Sequence, residues 1–162
     1  MRLVIVISLI TLLAGCAATP PSSIEEAYKK TTFEVDEYSK TRVLRGPYVS
    51  ISFGIDGGGG IYLRKVNNSY QLYVTTFSQL GWCFFESAFD KNAGKLAFTN
   101  IRSNVGRGVT YEDFYLSITK EQLEVMAAKG LDVRIYGTNR TIDVALPAIY
   151  VQGFMRRAAE SS

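Results

Sequence analysis

From Thr32 onward the apolar residues recur at every second position, and this period limits the chain to an architecture dominated by half-buried strands. In residues 48–55, Val49, Ile51, Phe53 and Ile55 fall on one side of an extended chain, with small residues or Tyr48 on the other. Asp56 and four glycines interrupt the pattern before residues 61–66 resume it, which reads as a hairpin with a mobile glycine tip. Asn67-Asn68 turns the chain into residues 69–77, rich in β-branched and aromatic side chains. Residues 82–89 carry large apolar groups in both alternating sets, the pattern of a central strand covered on both faces. Residues 95–99 and 110–118 add two more strands. Phe33 and Val35 mark an early strand with residues 41–44 as its neighbour.

The period changes only locally. Thr119 ahead of Gln122 matches a capping box, with Leu123, Met126 and Ala127 on one side of a short helix that Gly130 can end in the left-handed conformation. Residues 132–137 and 141–146 read as a further hairpin, and Pro147 opens a closing helix through about Ala159, although Gly153 weakens it. No repeat or change of composition divides residues 32–162. The expected fold is α+β: an antiparallel sheet meander with two short helices in the C-terminal third, a two-layer β-sandwich being the alternative.

The first residues follow a different logic. Met1-Arg2, the apolar run 3–13 and the small residues before Cys16 have the layout of a secretory signal peptide, too short to span a bilayer comfortably. Leu13-Ala14-Gly15-Cys16 resembles the lipobox of bacterial lipoproteins. That resemblance implies cleavage before Cys16, acylation of its sulfur and new amino group by chains such as palmitate, and a membrane anchor. Ala17-Ala18 stands where that family places an inner-membrane retention Asp, so the resemblance implies the outer membrane, facing the periplasm. The expected division is 1–15 signal peptide, 16–31 lipidated Cys16 and an extended tether with at most a short helix, and 32–162 one globular domain. The mature part resembles uncharacterised bacterial lipoproteins in general organisation and carries no motif of a named family.

Chemistry is sparsely encoded. The 162 residues contain no His, which removes the commonest general base and metal ligand. With Cys16 acylated, Cys83 has no intramolecular disulfide partner, and Trp82 and Phe84 beside it suggest a buried thiol. The glycines at 54 and 59 have phosphate-loop spacing, yet Gly60-Ile61 stands where Lys-Ser/Thr belongs. Carboxylates are the remaining route to acid–base catalysis: Glu34 with Asp36, Glu86 inside an apolar strand, Glu112-Asp113 and Asp143. No cofactor or metal motif is present. A net charge of +3, reduced when Arg2 leaves with the signal peptide, does not argue for nucleic acid.

The leading reading is a lipid-anchored cell-envelope binding or assembly protein with an envelope partner and no catalytic activity. A carboxylate-dependent envelope hydrolase and an inhibitor presenting residues 56–60 to an enzyme cleft are the alternatives. Strand parity places Tyr62, Arg64, Tyr73, Tyr111, Tyr115, Arg134 and Tyr136 away from the core, and Tyr and Arg are the residues that interfaces favour.

Overall fold

The computed structural model describes residues 17–35 and 40–160. Among them, helix α1 (Ile24–Lys30) precedes strands β1 (Thr32–Val35), β2 (Arg42–Arg45), β3 (Val49–Ser52), β4 (Gly57–Val66), β5 (Ser69–Ser78), β6 (Phe85–Asp90), β7 (Gly94–Gly106) and β8 (Val109–Ile118). Helix α2 (Lys120–Lys129), strands β9 (Leu131–Gly137) and β10 (Thr141–Leu146) and helix α3 (Ala148–Glu160) follow. The strands form one curled antiparallel sheet in the order β1-β2-β4-β5-β8-β7-β6-β9-β10, with β3 also on β4. The fold is α+β as expected, with one continuous sheet instead of a sandwich, and with α1 as a third helix near the N-terminus.

Alternation decides the inner face. Ile61 and Leu63 of β4, Leu72 and Val74 of β5, and Phe114 and Leu116 of β8 are fully buried together with Val133 and Ile135 of β9. Leu123 and Met126 of α2 and Val151 and Phe154 of α3 join the same cluster. At about 25 cal/mol per Å² of apolar surface removed from water, this shared core is the main stabilising contribution. The Thr119–Gln122 capping box is present, while Gly130 ends α2 at φ 86°, ψ 162°, outside the left-handed helical region. Pro147 lies just outside α3, its carbonyl accepting from the Tyr150 N–H.

Strands β2 and β3 run along the same edge of β4, separated by residues 46–48. The interruption leaves the Pro47 carbonyl and the Leu63 N–H without strand partners, and the buried Tyr150 hydroxyl supplies both: it donates to Pro47 O (2.6 Å) and accepts from Leu63 N (3.3 Å). Tyr150→Phe should therefore lower stability by about 1–3 kcal/mol, the usual cost of leaving buried polar groups unsatisfied. Chemical denaturation with an unchanged midpoint would contradict this role.

Two strand readings are corrected. Gly57–Gly60 is the first part of β4 rather than a hairpin tip, paired with β3 on one side and β5 on the other. Backbone occupies the side-chain space here: a Cβ on Gly59, at φ 155°, would overlap the Thr75 carbonyl and one on Gly58 would crowd the Ile51 carbonyl, while the Tyr48 and Phe53 rings lie over Gly60 and Gly57. The turn is instead residues 53–56, so residues 56–60 do not present a loop to an enzyme cleft. Residues 81–84 are loop, and β6 starts at Phe85, buried on one face only. Phe84 (φ 55°) and Glu86 both point outward on either side of buried Phe85, and the register shift between Phe85 and Ser87 then moves Ala88 to the buried face, so Glu86 is exposed rather than inside an apolar strand.

The connection from β5 to β6 crosses the end of β8, because β8 lies next to β5 and β6 lies two strands further on. Glu112 makes this crossing possible. On the inward face of β8, its buried carboxylate accepts from the N–H groups of Cys83 (2.8 Å) and Phe85 (3.4 Å), taking the place of a neighbouring strand. Thr110 Oγ1 donates to the Gly81 carbonyl in the same crossing.

Candidate functional site

The outward face of the central strands gathers five of the expected residues, four of them in one cluster. Register sets Tyr62 opposite Tyr73, Tyr73 opposite Tyr115, and Tyr115 opposite Thr99, so the tyrosines form a row across β4, β5 and β8. The Tyr62 and Tyr73 rings stack at 5.1 Å between centroids. Arg64, one pleat further along β4, lies 4.5 Å from the Tyr73 ring centre and 5.3 Å from that of Tyr115, with its Nε donating to Gln71 (2.6 Å). Cation–π attraction and the hydrogen bond fix the guanidinium in place before any ligand arrives. Partial burial lowers the Arg64 pKa from its ordinary value, and raises that of Tyr73, to which the nearby Asp113 carboxylate adds.

The next row is polar and equally fixed. Asp113 accepts from Thr75 Oγ1 (2.8 Å) and forms an ion pair with Arg102 (2.6 Å). Tyr111 follows on the same face, exposed and opposite Phe77. At the other end of the tyrosine row, Tyr48 covers Gly60, and a groove of about 360 Å³ opens between Lys30, Glu34, Arg45, Pro47, Tyr48 and Tyr62. The result is a half-buried aromatic surface with a held cation and an adjoining groove. It suits recognition by contact area and hydrogen bonding.

Arg134 and Tyr136 are not part of this row. They lie on β9, where Arg134 forms a two-pronged ion pair with Asp143 (2.7 and 2.8 Å) and Tyr136 packs edge-on against Phe89. The pairing lowers the Asp143 pKa and raises that of Arg134. A depression of about 490 Å³ here includes Asp90, Asp132 and Asp143, each already engaged. Asp90 accepts three backbone N–H groups, from Asn92, Ala93 and Asp132, and Asp132 faces Lys91 at 3.9 Å.

The carboxylates proposed for hydrolysis do not come together. Glu34 is exposed on β1 beside Arg45 (3.5 Å), Glu86 is exposed on β6 at a distant place in the sheet, and Asp36 lies outside the described residues. Cys16 also lies outside them. Among the described residues, no group of three thiol or acid side chains is arranged to hold a metal ion.

Cys83 is buried, and desolvation, with the adjacent Glu112 carboxylate, pushes its thiol up to about 11. At neutral pH the reactive thiolate is scarce. In a Cys16→Ala variant, whose one remaining thiol is Cys83, a polar maleimide should label the native domain slowly and the denatured chain fast. Equal rates would contradict the burial. No family model, curated protein or solved structure matches the chain.

Proposed function

We propose that this chain is a lipid-anchored protein of the bacterial cell envelope that binds or assembles with an envelope partner through the outward face of its central strands, without catalysing a reaction. The observation that carries the reading is the meeting of Tyr62, Tyr73, Tyr115 and Arg64 in one cross-strand cluster. Large rings with few rotatable bonds, held before contact, lose little entropy on binding, and their hydroxyls and the guanidinium supply direction. The lipobox at residues 13–16 supports export and anchoring, with the outer membrane facing the periplasm as the location.

The carboxylate hydrolase is the weaker reading, because the acids in concave places are occupied by arginine, lysine or backbone partners. Replacing Tyr111 and Tyr115 by Ser tests the binding reading. Crosslinking of the acylated protein to an envelope partner should fall strongly while the melting temperature changes little. Unchanged crosslinking by a correctly folded variant would remove this face from consideration.

A further inference from the structure

Resting on the reading that Cys16 is acylated, we propose that the domain is seated directly on the bilayer through one rim of its sheet, with Ile55, Leu80 and Phe84 entering the lipid interface. Three connections build this rim: residues 53–56, 79–84 and 138–140. Hydrogen bonds hold them together. Gln79 N–H donates to the Asp56 carbonyl, Arg140 reaches the Phe53 carbonyl (2.8 Å) and the Asp56 carboxylate (2.6 Å), and Asn139 N–H and Thr138 N–H donate to the carbonyls of Cys83 and Phe84.

The rim exposes apolar side chains that its fold does not need. Ile55 is fully exposed, Leu80 is 77% exposed and Phe84 51%. The acidic residue in these three connections is Asp56, neutralised by Arg140, so the rim presents no unpaired carboxylate to anionic lipid headgroups. Trp82 stands beside Phe84, 6.2 Å between ring centres. An indole with a polar edge suits the headgroup region.

The start of the described chain decides what covers this rim. The tether is docked along the domain: Ser50 N–H donates to the Ala18 carbonyl (2.8 Å), and Ala18 N–H donates to Ser50 Oγ (3.1 Å). From Ala18 the chain proceeds to Ile24, whose carbonyl lies against Gly153 of α3, beyond the level at which Tyr150 meets Leu63. That course leads away from the 53–56 turn. Cys16 is two residues from Ala18, within about 7 Å of chain. Ser50 is itself two residues from the end of β3, about 7 Å of strand. An acyl anchor so close to the domain leaves little room for a leash, and the rim nearest to it meets the membrane surface.

Trp82 is the single tryptophan and therefore reports on this rim alone. The mature full chain would be reconstituted in phosphatidylethanolamine–phosphatidylglycerol vesicles with brominated acyl chains, and Cys16 acylation measured by mass on the same sample. Seating predicts strong quenching of Trp82 relative to unbrominated vesicles, and recovery of most of the fluorescence in the Ile55→Glu/Leu80→Glu variant while it remains acylated and membrane-bound. Acylated Cys16 without quenching, or equal quenching in the variant, overturns the seating and leaves the anchor standing. An unmodified Cys16 overturns both.

Discussion

Replacing Gly153 by Leu should destabilise the domain by at least the about 3 kcal/mol that marks the upper end of ordinary core overpacking. Gly153 is where α3 passes closest to α1: a Cβ there would meet Ala27 Cβ at 2.5 Å, the Ile24 carbonyl oxygen at 2.6 Å and the Tyr28 nitrogen at 2.9 Å. Two of those atoms are backbone and cannot rotate aside. The better helix propensity of Leu, about 1 kcal/mol over Gly, opposes the clash without cancelling it. The expected result is displacement of α1, losing the Tyr28–Glu160 hydrogen bond (2.6 Å) and the Arg156–Glu25 ion pair (3.0 Å) at its surface. A milder Gly153→Ala change should be partly rescued by Ala27→Gly, which removes the nearest of the three atoms. Thermal denaturation of the single and double variants checks this, and an unchanged midpoint for Gly153→Leu would refute the close approach.

Cys16→Ala should leave the domain folded but uncleaved or without acyl chains. Each buried CH₂ of an acyl chain contributes about 0.8 kcal/mol, and stable anchoring takes two chains or one with a second signal. Exposed Ile55, Leu80 and Phe84 cannot substitute, since a few partly inserted side chains offer far fewer buried methylenes. Among the described residues no helix is long and apolar enough to cross a membrane. The domain itself should remain folded, because the described core is built from side chains between Leu44 and Ala158. Mass spectrometry of the parent and variant chains, with circular dichroism of both, measures the two parts. An unmodified Cys16 in mature, membrane-extracted protein would contradict the lipid anchor.

Parity was the legible part of this sequence. The inward positions of β4, β5, β8, β9 and β10 follow from alternation alone, and so do the outward positions of the tyrosines. Register was not legible. That Tyr62, Tyr73 and Tyr115 stand side by side depends on the turn at 67–68 and on β8 returning next to β5, while Arg134 and Tyr136, of the same outward parity, belong to β9 and a different neighbourhood. The glycines at 57–60 were misleading for a physical reason: glycine serves both a mobile tip and a strand crowded by neighbouring backbone, and only the pairing with β3 and β5 distinguishes the two. The length of β7 was hidden because residues 101–105 are exposed on both faces and so carry no apolar alternation. Glu112 appeared among the candidate acids, but its use as a surrogate strand partner depends on a crossing connection that no local pattern announces.

The central claim, that the outward face of β4, β5 and β8 is the docking surface, is tested most directly by a photoreactive amino acid placed at Tyr111 in the full chain, with the same probe at the exposed Lys120 of α2 as its counterpart. Illumination of intact envelopes should give a discrete adduct from position 111 and none from position 120. An adduct from position 120 with none from position 111 would contradict the account.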